Sequence, residues 1–159
     1  MMFVCGFLAL CLAEPEVDTS AIRKAFDQIK KAGTPVRVLS TTGPGQPAYF
    51  KRSFELTSYD IEVSETGNKV IPYLAVVQFR ARIKTSKEFS SKEEAEEAPF
   101  KMSEDSFIEW RAIFRNLKGS WAMENLLYRS SSFQIWCDLK TTLDARHFVH
   151  DWFNALDGY

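Results

Sequence analysis

From residue 71 to residue 83 every second position is apolar: Ile71, Tyr73, Ala75, Val77, Phe79, Ala81 and Ile83. Successive side chains of an extended strand point to opposite sides, so this alternation places one unbroken apolar row on one face, an outcome no helix provides. The other side of the same segment changes along its length, apolar at Val70, Leu74 and Val76 and cationic at Arg80, Arg82 and Lys84. The spacing predicts a strand over 70–84 whose first half is covered on both sides and whose second half shows charge to solvent.

The alternation recurs on either side. Phe50, Phe54 and Leu56 share one parity, and Tyr59, Ile61 and Val63 take the opposite one. An extra residue near Thr57 or Ser58, a β-bulge, would restore all six to a common face. Thr66-Gly67-Asn68 then turns this strand into the next. Further on, Ile108, Trp110, Ala112 and Phe114 alternate, Lys118-Gly119-Ser120 offers a tight turn into a strand over 121–129, and Ser130, Ser131 and Ser132 lead to a last strand over 133–139. There Phe133, Ile135, Cys137 and Leu139 form an apolar side on which the Cys137 thiol is expected to be buried.

Helical periodicity is confined to the two ends. After Asp18, Thr19 and Ser20, which suit an N-cap, the positions Ala21, Ile22, Ala25, Phe26 and Ile29 mark one helix face. Lys30 and Lys31 complement the C-terminal dipole, and Gly33 with Pro35 stops the helix. Near the C-terminus Ala145, Phe148, Val149, Trp152, Phe153 and Leu156 recur at helical spacing. Residues 36–39 read as a short extended piece, 41–47 (TTGPGQP) as a loop, and the charged run 86–105 as a solvated connection or a short exposed helix. Its glutamates Glu93, Glu94, Glu96 and Glu97 lack the glycine of a calcium-binding turn.

The expected fold is α+β: an N-terminal helix, an antiparallel meander sheet of about five strands, and a C-terminal amphipathic helix packed on the sheet. That order resembles the cystatin-like and nuclear-transport-factor-like architectures, which implies an open sheet wrapping a helix. The QxVxG segment of cystatin inhibitors is absent, so the resemblance is one of architecture and carries no activity.

The first 13 residues, MMFVCGFLALCLA, carry no charge and are too short to span a bilayer, which takes about 20 residues. Small Ala13 followed by Glu14-Pro15 suits cleavage of a signal peptide. The expectation is an exported protein, periplasmic or secreted, with residues 14–159 forming one α+β domain and no membrane span after cleavage. Lipid anchoring through Cys11 is a weaker alternative, because Leu10 stands where a lipoprotein signal places a small residue. After cleavage Cys137 is the one cysteine left, which precludes an internal disulfide. Twenty Lys and Arg against 21 Asp and Glu give a net charge of -1, unlike the basic balance of nucleic-acid binders.

Two sets of residues could carry function. Trp110, Trp121, Trp136 and Trp152, with 13 phenylalanines in the chain, could line a cavity between sheet and last helix, while Arg80, Arg82 and Lys84, with Arg111 and Arg115 and beside Phe107 and Ile113, could form a basic, partly aromatic sheet face. These support a non-enzymatic exported binding domain that holds an apolar or amphipathic ligand, or a partner's segment, against its sheet through Trp110, Trp121, Trp152, Arg80 and Arg82. The alternative is a small metal-dependent or hydrolytic enzyme built on Asp144, His147, His150 and Asp151, the last helix's polar cluster. No nucleophile elbow accompanies the histidines, and no cofactor or metal motif is present.

Overall fold

The computed structural model describes residues 17–41, 45–130, 135–138 and 149–156. The expected signal peptide, Cys11, Asp144 and His147 lie outside the described residues. The described chain runs α1 (Ser20–Ala32), β1 (Arg37–Ser40), β2 (Tyr49–Glu65), β3 (Tyr73–Thr85), α2 (Lys92–Glu97), β4 (Lys101–Leu117), β5 (Ser120–Ser130), β6 (Cys137–Asp138) and α3 (Val149–Leu156). The six strands pair antiparallel in sequence order and curl into half a barrel.

This corrects the expected architecture. The sheet has six strands, not about five, because the extended piece before the glycine-rich loop pairs with the start of β2, Arg37 opposite Arg52 and Ser40 opposite Tyr49. Sheet dominates the fold, and the long amphipathic helix expected across it is replaced by eight described residues of α3, which reach the core through Trp152 and Leu156. At the other edge, β6 is two residues long; Ile135 is 77% exposed and Cys137 only half-buried, so at these two positions the expected apolar side is not buried, and Phe133 and Leu139 lie outside the described residues.

The central strands follow their alternation. Ala75, Val77, Phe79 and Ala81 of β3 and Ile108, Trp110, Ala112 and Phe114 of β4 are buried on one face, which we call the inner face. The register shift between Leu56 and Ser58 keeps Phe54, Tyr59, Ile61 and Val63 on that same side despite their opposite parities. Lys118 and Gly119, both at positive φ, make the tight turn between β4 and β5. Val70, expected to be covered, is 69% exposed, because β3 starts only at Tyr73 and the preceding residues form a loop fastened by Asn68, whose side chain accepts from the Val70 amide.

The charged run over 86–105 is partly ordered structure. Ser91 and Glu94 close a capping box at the start of α2, and β4 begins at Lys101, opposite Thr85. Helix α1 lies on the inner face with Ile22, Ala25, Phe26 and Ile29 buried. The Ser20 amide donates to Asp18 Oδ1 (2.8 Å), which holds that exposed carboxyl below its ordinary value. Gly33, at φ 76°, ends the helix where a Cβ would stand 3.0 Å from the Phe54 carbonyl oxygen.

Candidate functional site

The inner face is filled with rings. Phe79 stacks on Trp110 with centroids 5.8 Å apart, Trp152 stands edge-on to Phe79 at 4.7 Å, and Phe26 closes on Phe79 at 5.2 Å from the helix side. Trp110 and Trp152 have no exposed surface. Trp121 is also buried, and its indole N–H donates to the Asp18 carbonyl oxygen (2.8 Å), tying β5 to the start of α1. Trp110, Trp121 and Trp152, expected at a cavity, therefore occupy the hydrophobic core, where Phe79 and Trp110 pack directly against Trp152.

A buried ion cluster holds the α3 side of this core. Asp151, fully buried, accepts from Arg37 (3.0 Å) and from Arg52 Nε (2.9 Å), joining α3 to β1 and β2. Burial pushes the Arg52 guanidinium below its ordinary value and repulsion from Arg37 adds to this, while Asp151 pulls it back up. Asp151 is thus committed to two arginines, while Asp144 and His147 of the expected cluster lie outside the described residues. No group of three metal-ligating side chains occurs among the described residues.

The outer face of the same sheet is built differently. The pairing sets Ser58, Arg80, Glu109 and Arg129 in one row across β2 to β5, with Asp60, Gln78, Arg111 and Leu127 in the adjacent row. Glu109 accepts from Arg129 through Nε at 3.0 Å and through a second guanidinium nitrogen, and it faces Arg80 at 4.0 Å. The Glu109 carboxylate thus holds Arg129 by paired hydrogen bonds and faces Arg80 at the limit of an ion pair. Trp136, just before β6, rests over this arrangement: its ring centre lies 5.0 Å from the Arg129 guanidinium and 4.3 Å from that of Arg111. Phe107 takes the corresponding place for Arg80 (4.9 Å) and Arg82 (5.1 Å).

Arg82 and Arg111 differ from their neighbours. Each lies against an aromatic ring, yet among the described residues neither forms an ion pair, and the Nε of each is buried without a hydrogen-bond partner. Each is a half-buried cation set over a ring, with its Nε shielded from solvent and no carboxylate paired to it among the described residues. Around Arg111 the surface forms an open groove of ≈ 360 Å³ whose lining includes Asp60, Gln78, Arg80, Glu109, Arg129 and Trp136. Three guanidiniums there meet two carboxylates, leaving a net positive charge.

Of the residues expected to bind ligand, Arg80 and Arg82 stand together on this outer face, and Trp110, Trp121 and Trp152 have their rings on the other side of the sheet. Trp136, expected at a cavity beside the last helix, instead stands over Arg111 and Arg129 on the outer face. Glu109 and Arg129 complete the site without having been expected there; their signal was parity, since they alternate with buried neighbours on their strands. On the inner side, burial raises the Tyr128 hydroxyl above its ordinary value, and the neighbouring Cys137 thiol adds to the rise.

No protein-family model matches this chain, and no curated protein or solved structure matches it. Among the described residues no helix is long and apolar enough to cross a membrane.

Proposed function

We propose that this chain is an exported, non-enzymatic binding domain that holds an anionic amphipathic ligand, or an acidic segment of a partner, against the outer face of its sheet. The observation that carries the reading is the pair Arg82 and Arg111, each set over an aromatic ring and each without a carboxylate among the described residues. Arginine backed by an aromatic ring is rigid and weakly hydrated, which lowers the cost of meeting an incoming carboxylate, sulfate or phosphate. The rings supply the apolar half of the contact. Export rests on the uncharged apolar run over residues 1–13 and the Ala13-Glu14 junction.

Native mass spectrometry of the chain as recovered from an export-competent host tests this reading. A bound organic mass or acidic partner retained by the wild type and lost in the double variant Arg82→Met, Arg111→Met is the expected result. A bound species that survives the double substitution, or a wild type that binds nothing in its native compartment, would remove the outer face as the recognition surface.

A further inference from the structure

We infer that the groove around Arg111 is a subsite for a small organic oxyanion, a carboxylate or a phosphate monoester carrying a flat apolar group, with the anion on Arg111 and the apolar group against Trp136. This rests on the proposed outer-face reading and goes further by naming one place and one chemistry. Both guanidiniums would attract an acid, but Arg111 lines this groove and Arg82 does not. A groove of ≈ 360 Å³ is at the small end of what organic ligands occupy.

The neighbouring groups are arranged so that Arg111 is the cation left for a ligand. Glu109, the nearest carboxylate of the row alongside, is occupied by Arg129 and faces Arg80, so it does not compete for Arg111. Gln78 stands directly opposite Arg111 on β3 and presents an amide able to donate to the same anion. Trp136 lies against the Arg111 guanidinium, its ring centre 4.3 Å away, and is only half-buried, whereas the indoles of Trp110, Trp121 and Trp152 are buried, so its ring is the indole a groove ligand meets. A guanidinium backed by an aromatic ring is restricted in motion, which favours bidentate contact with a planar or tetrahedral oxyanion.

The test is an NMR titration of the ¹⁵N-labelled chain, recovered from the export-competent host, with phenyl phosphate, benzoate and uncharged benzamide. Saturable shifts of the Trp136 indole N–H and of the Arg111 and Gln78 amides are expected with both anions and not with benzamide. Whichever anion binds tighter identifies the class as phosphate or carboxylate. Arg111→Met should weaken binding by about tenfold or more, Arg111→Lys by less because charge without the planar fork remains, and Lys30→Met, an exposed change on α1, should leave it within about twofold. An unchanged spectral dispersion in Arg111→Lys guards against loss of fold.

Equal response to benzamide, wild-type affinity in Arg111→Met, or shifts centred on Phe107 and Arg82 would overturn the subsite. If these probes fail while the native complex still depends on Arg82 and Arg111, the groove assignment falls and the outer-face reading stands. If both fail, the two fall together.

Discussion

The two faces of this sheet use the same residue types to opposite ends. On the inner face aromatic rings meet aromatic rings: Phe54, Phe79, Trp110 and Trp152 form a continuous cluster with centroids 4.7–5.9 Å apart. On the outer face Phe107 and Trp136 meet guanidiniums instead. The inner rings are satisfied by packing, and each contact adds to burial that already removes them from water. The outer rings hold cations in place without neutralising them. A count of aromatic residues therefore says little about where recognition lies; what the rings touch decides it.

The comparison breaks most readily at the core. Trp110→Ala should cost about 3–5 kcal/mol in urea denaturation, since it empties a fully enclosed site bordered by other large rings. Arg111→Met, its neighbour on the opposite face, should cost under about 1 kcal/mol, in the range of exposed-surface changes. If the two variants were equally destabilised, the outer face would be a structural layer and not a surface reserved for binding.

Next in size is the ion cluster that ties α3 to β1 and β2. Asp151→Asn removes the carboxylate that Arg37 and Arg52 share and should cost about 3 kcal/mol. Adding Arg52→Met should recover part of that loss, because the burial that already disfavours the charged guanidinium is then relieved. A full additive loss in the same denaturation experiment would show that the three residues act independently.

Smaller still is the effect at the end of α1. Gly33→Ala forces a side chain onto a backbone at φ 76° and within 3.0 Å of the Phe54 carbonyl oxygen, for an expected cost of about 1–2 kcal/mol. An unchanged midpoint would mean that the junction between α1 and the sheet yields freely.

The smallest effect is one of pH. Burial raises the Tyr59 hydroxyl above its ordinary value of 10.0, helped by its donated hydrogen bond to Asp27 (2.6 Å). The folded state favours the neutral phenol, so this contribution is complete below pH 10.0 and is lost as pH climbs through the raised value. Tyr59→Phe should lower stability near neutral pH and flatten the alkaline decline, as followed by thermal unfolding across that range. A wild-type alkaline slope in the variant would assign the decline to other groups.

Local periodicity made some of this fold legible and long-range pairing decided the rest. The stripe Ile22, Ala25, Phe26 and Ile29 and the parity switch at Leu56/Ser58 are local signals, and each appears where its spacing put it. Strand β1 was hidden because four residues alternate with nothing around them; its identity comes from Lys51 and Arg52, beyond a glycine-rich loop. The start of β4 was hidden in the charged run for the same reason, since Thr85 opposite Lys101 defines it. Arg80 and Arg82 were legible as an outer-face pair from β3 alone. The clamp of Arg129 on Glu109 and the seat of Trp136 over Arg111 required the register of three further elements, which no single segment encodes.

The division of labour between the faces is tested most directly by mapping where an anionic amphipathic probe binds. In a backbone and indole ¹⁵N NMR titration with 1-anilinonaphthalene-8-sulfonate on the natively folded chain, saturable perturbation should centre on Arg111, Arg129 and Trp136, with Phe26, Phe79 and Trp152 unmoved. Perturbation centred instead on Phe26, Phe79, Trp110 and Trp152 would contradict the account, because it would show that the inner face opens to ligand and the outer arginines do not recruit it.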